Sequence, residues 1–341
     1  MDISTRPLIA ITLGDPAGIG PEICIGCLRN REIYAKVRPF LIGDMELLMR
    51  AMRLQNIKIP INVIHNPQDG KYEYGTIDFL PVLCEAKRNF TFGHPTIDAA
   101  IWSYNFFVKS IEYGKSGKID AICTAPINKE MMKKAGFKQT NHTAILHHFF
   151  PGIVSTSMFH CRELRVFHFT RHISLRKALD SINTPDLVQS LREANAVMKS
   201  IGYKNPRIAL AAVNPHASDG GLFGNEENDF LKPAVKLCRK EGIDVSGPIP
   251  ADAVFYLQKN GLYDCVFAIF HDQALIACKT YDFENTVSLT FGYSFVRSTV
   301  DHGTAYDIAG KNIVDSKSME AAVLTAAYYC RLKKSHQKNN L

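Results

Sequence analysis

Short apolar runs of strand length alternate with longer helix-patterned segments from one end of this chain to the other. Residues Leu8–Leu13, Phe40–Ile42, Ile61–Ile64, Ile119–Cys123, Val166–Phe169, Ile208–Val213, Cys265–Phe270 and Val287–Phe291 are apolar and flanked by turn residues. Runs of this length without polar alternation suit strands buried on both faces of a parallel sheet. Between them, Thr184-Pro185 offers an N-cap followed by a proline at the first helical position, opening a helix that runs to about Ser200 before Gly202. Asn225–Lys240 places Glu226, Glu227 and Asp229 in a first turn and ends near Gly242, as the helix dipole favours. Thr96–Glu112 and Ser318–Lys334 are two further long helices. Strands and helices alternating at this spacing predict an α/β fold.

The 341 residues, at roughly 150 per domain, leave room for about two domains. With 46% apolar residues the chain is not a disordered one, which would lack the apolar content to offset its entropy. No internal repeat or low-complexity linker marks a boundary. The 40 Lys and Arg against 33 Asp and Glu give a formal charge of +7. The one dense cluster, Arg331, Lys333, Lys334 and Lys338, stands at the extreme C-terminus and suits a solvated tail. Zinc-finger spacing and an aromatic RNP-like strand are both missing, so the excess points to an anionic small substrate rather than to nucleic acid. Nine cysteines at irregular spacing, several inside apolar runs, suit buried thiols in a reducing compartment. The start Met1-Asp-Ile-Ser-Thr-Arg6 lacks signal-peptide architecture, and no apolar run approaches the roughly 18 residues of a membrane helix. The expectation is a cytoplasmic protein with no membrane partner.

Three sets of residues could carry chemistry. Gly14-Asp-Pro-Ala-Gly-Ile-Gly-Pro-Glu22 follows the first strand and invites a dinucleotide-binding reading. The spacing fails it: Gly18-x-Gly20 runs into Pro21-Glu22-Ile23, and no Walker lysine is present. A tight strand-to-helix turn with Pro21 opening the helix is the plainer reading. His172, His216 in Asn214-Pro-His-Ala217 and His271 in Phe270-His-Asp-Gln273 each stand at or just beyond a strand end. Ligands gather there in α/β sheets, and three imidazoles with an open position make a catalytic metal site. Taken singly, each would be an ordinary structural histidine. The Gly-rich Asp219–Glu227 loop could offer backbone N–H groups to an anion, and Lys279 and Arg297 could pair with a phosphate or carboxylate.

These motifs occur in order with Thr124-Ala-Pro-Ile-Asn-Lys129, Gly220-Gly-Leu-Phe-Gly-Asn-Glu-Glu227, Gly247-Pro-Ile-Pro-Ala-Asp252 and Val300-Asp-His-Gly-Thr-Ala305. Together they resemble the 4-hydroxythreonine-4-phosphate dehydrogenase family of pyridoxal phosphate biosynthesis over nearly the whole chain. The segment Val300–Gly310 also resembles the cofactor loop of isopropylmalate and isocitrate dehydrogenases, which bind a nicotinamide cofactor without a Rossmann fingerprint. The resemblance implies a two-lobed α/β/α fold, residues 1–130 plus 295–341 forming the first lobe on the cofactor side and 131–294 the second, with the active site in the cleft between them. It implies one divalent metal (zinc, magnesium or cobalt) on His172, His216 and His271. It places substrate contacts at His142, Thr143, Lys279, Ser288 and Arg297, and NAD or NADP against Asp301, His302, Gly303 and Thr304. It also implies a homodimer whose partner subunit completes each site. Lys279 and His142 are the expected catalytic groups, Lys279 for proton delivery or for pairing with the carboxylate.

The implied reaction is oxidation of 4-phosphohydroxy-L-threonine with decarboxylation to 3-amino-2-oxopropyl phosphate. Three positions depart from the family pattern. Gly-His-Thr-Glu reads Asn141-His142-Thr143-Ala144, an expected Asn is Ser288, and His-Asp-Gln-Gly reads His271-Asp272-Gln273-Ala274. They open an alternative, a paralogue oxidising 4-phospho-D-erythronate or 4-phospho-D-threonate. A non-catalytic phosphometabolite-binding relative is the other alternative.

Overall fold

The computed structural model describes residues 5–339, with side chains as far as residue 336. Residues 1–4 and the side chain of Lys338 in the basic cluster lie outside the described residues. Two compact units divide the chain, Met1–Ser155 with Gly292–Arg331, and Thr156–Phe291 with Leu332–Leu341.

The first unit begins with β1 (Leu8–Thr12), α1 (Gly20–Cys27), α2 (Arg31–Lys36), β2 (Arg38–Gly43), α3 (Met45–Leu54) and β3 (Ile61–Val63). It continues with β4 (Ile77–Pro81), α4 (Ile97–Lys115), β5 (Ala121–Thr124), α5 (Lys129–Lys134) and α6 (His142–Phe149). The second unit holds β6 (Thr156–Cys161), β7 (Leu164–His168), α7 (Leu175–Asp180), α8 (Thr184–Ser200) and β8 (Ile208–Ala211). After these come α9 (Lys232–Lys240), β9 (Val245–Ile249), α10 (Ala251–Lys259), β10 (Cys265–Ala268), α11 (His271–Tyr281) and β11 (Val287–Phe291). The chain then returns to the first unit with β12 (Val296–Thr299), and α12 (Lys317–Asn339) closes the described chain.

Strands of the first unit run in the order β3-β4-β2-β1-β5-β12, every pair parallel. Central β1 is buried along its whole length, which is why Leu8-Ile-Ala-Ile-Thr12 carries no polar alternation. Helix α4 starts where the Thr96 side chain accepts from Ala99 N, and it buries Trp102, Phe106 and Phe107 in the core. Each such side chain contributes about 1.5–3 kcal/mol by leaving water. Helices α5 and α6 pack on α4, so the chain leaves this unit at 155/156 rather than at the expected 130, and it re-enters at 291/292 rather than 295.

The second unit orders its strands β11-β6-β7-β10-β8-β9. Here the all-parallel expectation needs correction: β6 is antiparallel to both β11 and β7, whereas β7, β10, β8 and β9 are parallel. Two helix expectations also change in detail. The N-cap of α8 is Asn183, whose side chain accepts from Asp186 N, while the Thr184 hydroxyl donates to Phe230 O. The expected continuous helix 225–240 opens with a π-type turn at Glu227–Leu231 before α9. Pro233 has no N–H to give to the preceding turn, and the ladder slips there. No helix among the described residues is long and apolar enough to cross a membrane.

Candidate active site

In the first unit β1, β5 and β12 lie side by side, with Thr12 opposite Thr124 and Thr124 opposite Thr299. The loops leaving their carboxyl ends are Gly14–Glu22, Ala125–Asn128 and Val300–Gly310, so three separate sequence motifs meet on one edge. The strand order reverses between β1 and β5, with β2 on one side of β1 and β5 on the other, the kind of switch point where α/β sheets bind ligands. Gly14 sits at φ +68°, and a Cβ there would stand 2.5 Å from Pro126 O. A Cβ on Gly18 would stand 2.8 Å from Thr304 O. These glycines therefore serve close packing of the chain on itself, as the failed dinucleotide spacing suggests. Ile19 N donates to Thr304 O at 3.0 Å, and Gly310 N donates to the buried Glu22 carboxylate at 2.8 Å. The segment Asp301–Thr304 is thus anchored from behind, with Gly303 exposed and open space where its Cβ would be.

Beside this edge lie a buried guanidinium and a buried neutral imidazole. Arg297 on β12 is 5% exposed; its Nη2 donates to Thr124 Oγ1 at 3.0 Å, and its Nε has no partner. Burial pushes its guanidinium down to about 10. His142 opens α6 behind Asn141, whose side chain accepts from Ala144 N, and it packs edge-on against Phe107 with ring centroids 4.6 Å apart. Burial first, then the charges of Arg297 and Lys129, hold its imidazole well below the ordinary histidine value. Its Nε2 is buried without a partner. Among the described residues the charges acting on His142 are cationic, and those acting on Arg297 are Cys123 and Tyr293. No carboxylate pairs with Arg297 among the described residues, an arrangement suited to an anion.

In the second unit the three candidate metal histidines follow the carboxyl ends of β7, β10 and β8, adjacent parallel strands. The rings of His172 and His271 approach to 5.5 Å between centroids. His271 Nδ1 is 2.7 Å from Asp272 Oδ1, which leaves Nε2 to face a ligand, the usual arrangement of a metal-binding histidine. His216 does not join this pair. Residues 216–220 form a left-handed turn with φ between 46° and 75°, costly for the four that are not glycine. Glu227 is buried and accepts from Val213 N, Asn214 N and Asn214 Nδ2 at 2.7–2.8 Å, fixing the root of that turn. Burial pushes the Glu227 carboxyl up, but these donors outweigh it and leave it below the usual range. The Gly-rich loop thus braces Asn214-Pro-His216 through Glu227. Gln273 performs the same service for His271: its amide accepts from Ile269 N and donates to Ala212 O, both at 2.7 Å. No group of three His, Cys, Asp or Glu able to hold a metal exists among the described residues. The donor chemistry of His172 and His271 fits a divalent metal, and within one chain the third ligand is not assembled.

A family profile described as "Pyridoxal phosphate biosynthetic protein PdxA" matches residues 35–326. The chain belongs to the PdxA family. Among curated relatives it is 41% identical to a Symbiobacterium thermophilum protein named "Putative D-threonate 4-phosphate dehydrogenase", over 96% of this chain and 98% of that one. A Clostridium botulinum relative of the same name is 40% identical over 97% and 100%. Two solved structures titled 4-hydroxythreonine-4-phosphate dehydrogenase are also similar. The Burkholderia phymatum protein has 38% identity and a TM-score of 0.84, covering 95% of this chain and 98% of that one. The Klebsiella pneumoniae protein has 34% identity and a TM-score of 0.89, covering 96% and 98%. These relatives are named as dehydrogenases, which supports an oxidoreductase for this PdxA family chain.

Of the residues the PdxA resemblance singles out, His142, Thr143, Arg297 and Asp301–Thr304 belong to the first unit, and Lys279, Ser288 and the histidines to the second. On α11, Lys279 stands with its Nζ 5.1 Å over the ring of Phe283 just beyond that helix, and Ser288 pairs with Phe159 across β11 and β6. Sequence reasoning missed His168 at the end of β7, a buried imidazole with centroid 6.4 Å from that of His271, which burial pushes down to about 3. It gave no role to Asp15 or Tyr306, although both lie inside quoted motifs, and it noted Thr124 and Asn128 only as part of a polar set ending a strand and starting a helix. The signal was a polar residue directly after a buried strand, where a side chain must find a partner.

Proposed function

We propose that this chain is a nicotinamide- and divalent-metal-dependent dehydrogenase that oxidises 4-phospho-D-threonate, or its erythronate epimer, with loss of carbon dioxide. The observation that carries this reading is Ala144. It occupies the third position of α6, beside His142, where the family pattern has a glutamate. The charges that act on the neighbouring His142 are the cations Arg297 and Lys129, and no carboxylate is among those that act on His142 or Arg297. An ammonium at C2, as in 4-phosphohydroxy-L-threonine, would need a counter-charge there, whereas a C2 hydroxyl would not. The names of the full-length relatives support the same choice.

In this reading Arg297, oriented by Thr124, and the neutral His142 with Thr143 hold the phosphate, whose charge replaces the missing counter-ion. A metal bound on the histidines supplies Lewis acidity toward the C3 oxygen, and NAD or NADP supplies the hydride acceptor. C3 loses its hydride and its hydroxyl proton, giving a 3-oxo acid. The C1–C2 bond then breaks, carbon dioxide leaves, and C2 takes a proton, for which Lys279 is the candidate donor. His172 and His271 are the ligands this chain presents together. His216, apart from them, fits a ligand set completed across a homodimer. Asp301–Thr304 is the proposed cofactor-binding segment. Incubation with 4-phospho-D-threonate, nicotinamide nucleotide and zinc, magnesium or cobalt tests the reading. One reduced nucleotide, one carbon dioxide and one dihydroxyacetone phosphate per turnover is the expected stoichiometry. Reduced nucleotide without carbon dioxide, or no turnover with any metal, would overturn it.

A further inference from the structure

Asp15, Asn128 and Tyr306 come from three loops far apart in sequence, and nothing in the proposed reaction uses them. They form one hydrogen-bonded chain. Asn128 Nδ2 donates to Tyr306 Oη at 2.7 Å, and Tyr306 Oη donates to Asp15 Oδ2 at 2.7 Å. The other Asp15 oxygen accepts from Ala17 N at 2.8 Å, so both oxygens of a fully buried carboxylate are committed. Each end is rigidly rooted. Asp15 N donates to Pro126 O, and Asn128 caps α5 through Oδ1 while its amide nitrogen faces the phenol. Tyr306 is two residues beyond Thr304, whose carbonyl is held by Ile19 N. The carboxyl-edge loops of β1, β5 and β12 are therefore pinned together at one phenol oxygen.

We infer that Tyr306, clamped between Asp15 and Asn128, is a positioning residue that presets the Asp301–Thr304 segment for the nicotinamide nucleotide. The inference rests on the proposed cofactor role of that segment. A loop held in its binding shape by outer hydrogen bonds loses affinity when they go, without touching the ligand itself.

Two variants remove the clamp differently. Tyr306→Phe deletes the phenol oxygen. Asn128→Asp keeps the α5 cap and replaces the donor to Tyr306 with a carboxylate that competes with Asp15 for the phenol proton. Nucleotide binding is read directly, by fluorescence titration of NADH and NADPH into the purified protein without substrate, alongside thermal unfolding. Both variants should weaken the better nucleotide about tenfold while remaining folded. Folded variants that bind as tightly as the parent chain would make the clamp a purely structural feature and overturn the inference. If the parent chain itself binds neither nucleotide, the cofactor reading fails and the inference fails with it. The two failures are thus distinguishable.

Discussion

Arg297 Nη2 donates to Thr124 Oγ1 over 3.0 Å, and no carboxylate is paired with this buried guanidinium among the described residues. A buried cation satisfied only by a hydroxyl is incomplete, and its Nε has no partner either. In the proposed reading phosphate oxygens would complete it, two at a time if the planar fork is presented edge-on.

Substituting Arg297→Lys keeps the charge and loses the fork. The expected result is a KM for the phosphorylated substrate raised about 10- to 100-fold, from the loss of one charge-assisted hydrogen bond of about 1.5–3 kcal/mol. Steady-state kinetics on the variant checks this, and an unchanged KM would take Arg297 out of the phosphate site.

His142 gives the protein a defined sensitivity to acid. Burial, with Arg297 and Lys129 adding to it, holds the folded imidazole neutral well below its ordinary value. Below about pH 6.5 the unfolded chain binds a proton that the folded chain refuses. Stability therefore falls as pH drops through that region, by about 1.4 kcal/mol per pH unit for this one group. Urea midpoints at pH 7.0 and 5.5 should show a smaller acid loss in His142→Asn than in the parent chain. Equal losses would mean that the imidazole is not held neutral.

Two glycines separate backbone conformation from close approach. Gly14 and Gly117 have nearly equal φ, +68° and +69°, but a Cβ on Gly14 meets Pro126 O at 2.5 Å and one on Gly117 meets nothing within 4 Å. Gly117→Ala should cost about 1 kcal/mol, the conformational part alone. Gly14→Ala should cost roughly 2–4 kcal/mol, because the β1 and β5 loops must separate. Chemical denaturation of the pair measures the difference.

The α/β character and most strands were legible because buried parallel strands such as β1 and β10 are apolar throughout. The strands that escaped notice, β4, β6, β9 and β12, contain Asp78, Thr156 and Ser157, Gly247 and Pro248, or Arg297, and break the apolar run. Arg297 was visible as a cation but not as a strand residue. Its burial follows from β12 pairing with β5, a contact between positions some 175 apart that no local pattern encodes. His172, His216 and His271 were recognisable by their repeated strand-end context. That His216 stands apart depends on the left-handed turn at 216–220, where only Gly220 signals the conformation in advance.

Ala144 tests the choice of substrate from the protein side. Ala144→Glu restores a carboxylate in the first turn of α6, where the helix dipole favours it. The ratio of kcat/KM for the C2-amino substrate over the C2-hydroxy substrate should rise about tenfold, the value of one charge-assisted contact of roughly 1.4 kcal/mol. A ratio that does not move would remove Ala144 from the account of specificity.

The most direct measurement compares two substrates in one assay: reduced-nucleotide formation by the purified, metal-supplemented protein from 4-phospho-D-threonate and from 4-phosphohydroxy-L-threonine. The account predicts a kcat/KM at least about tenfold higher for 4-phospho-D-threonate, because no carboxylate receives the C2 ammonium. A preference for 4-phosphohydroxy-L-threonine would contradict it.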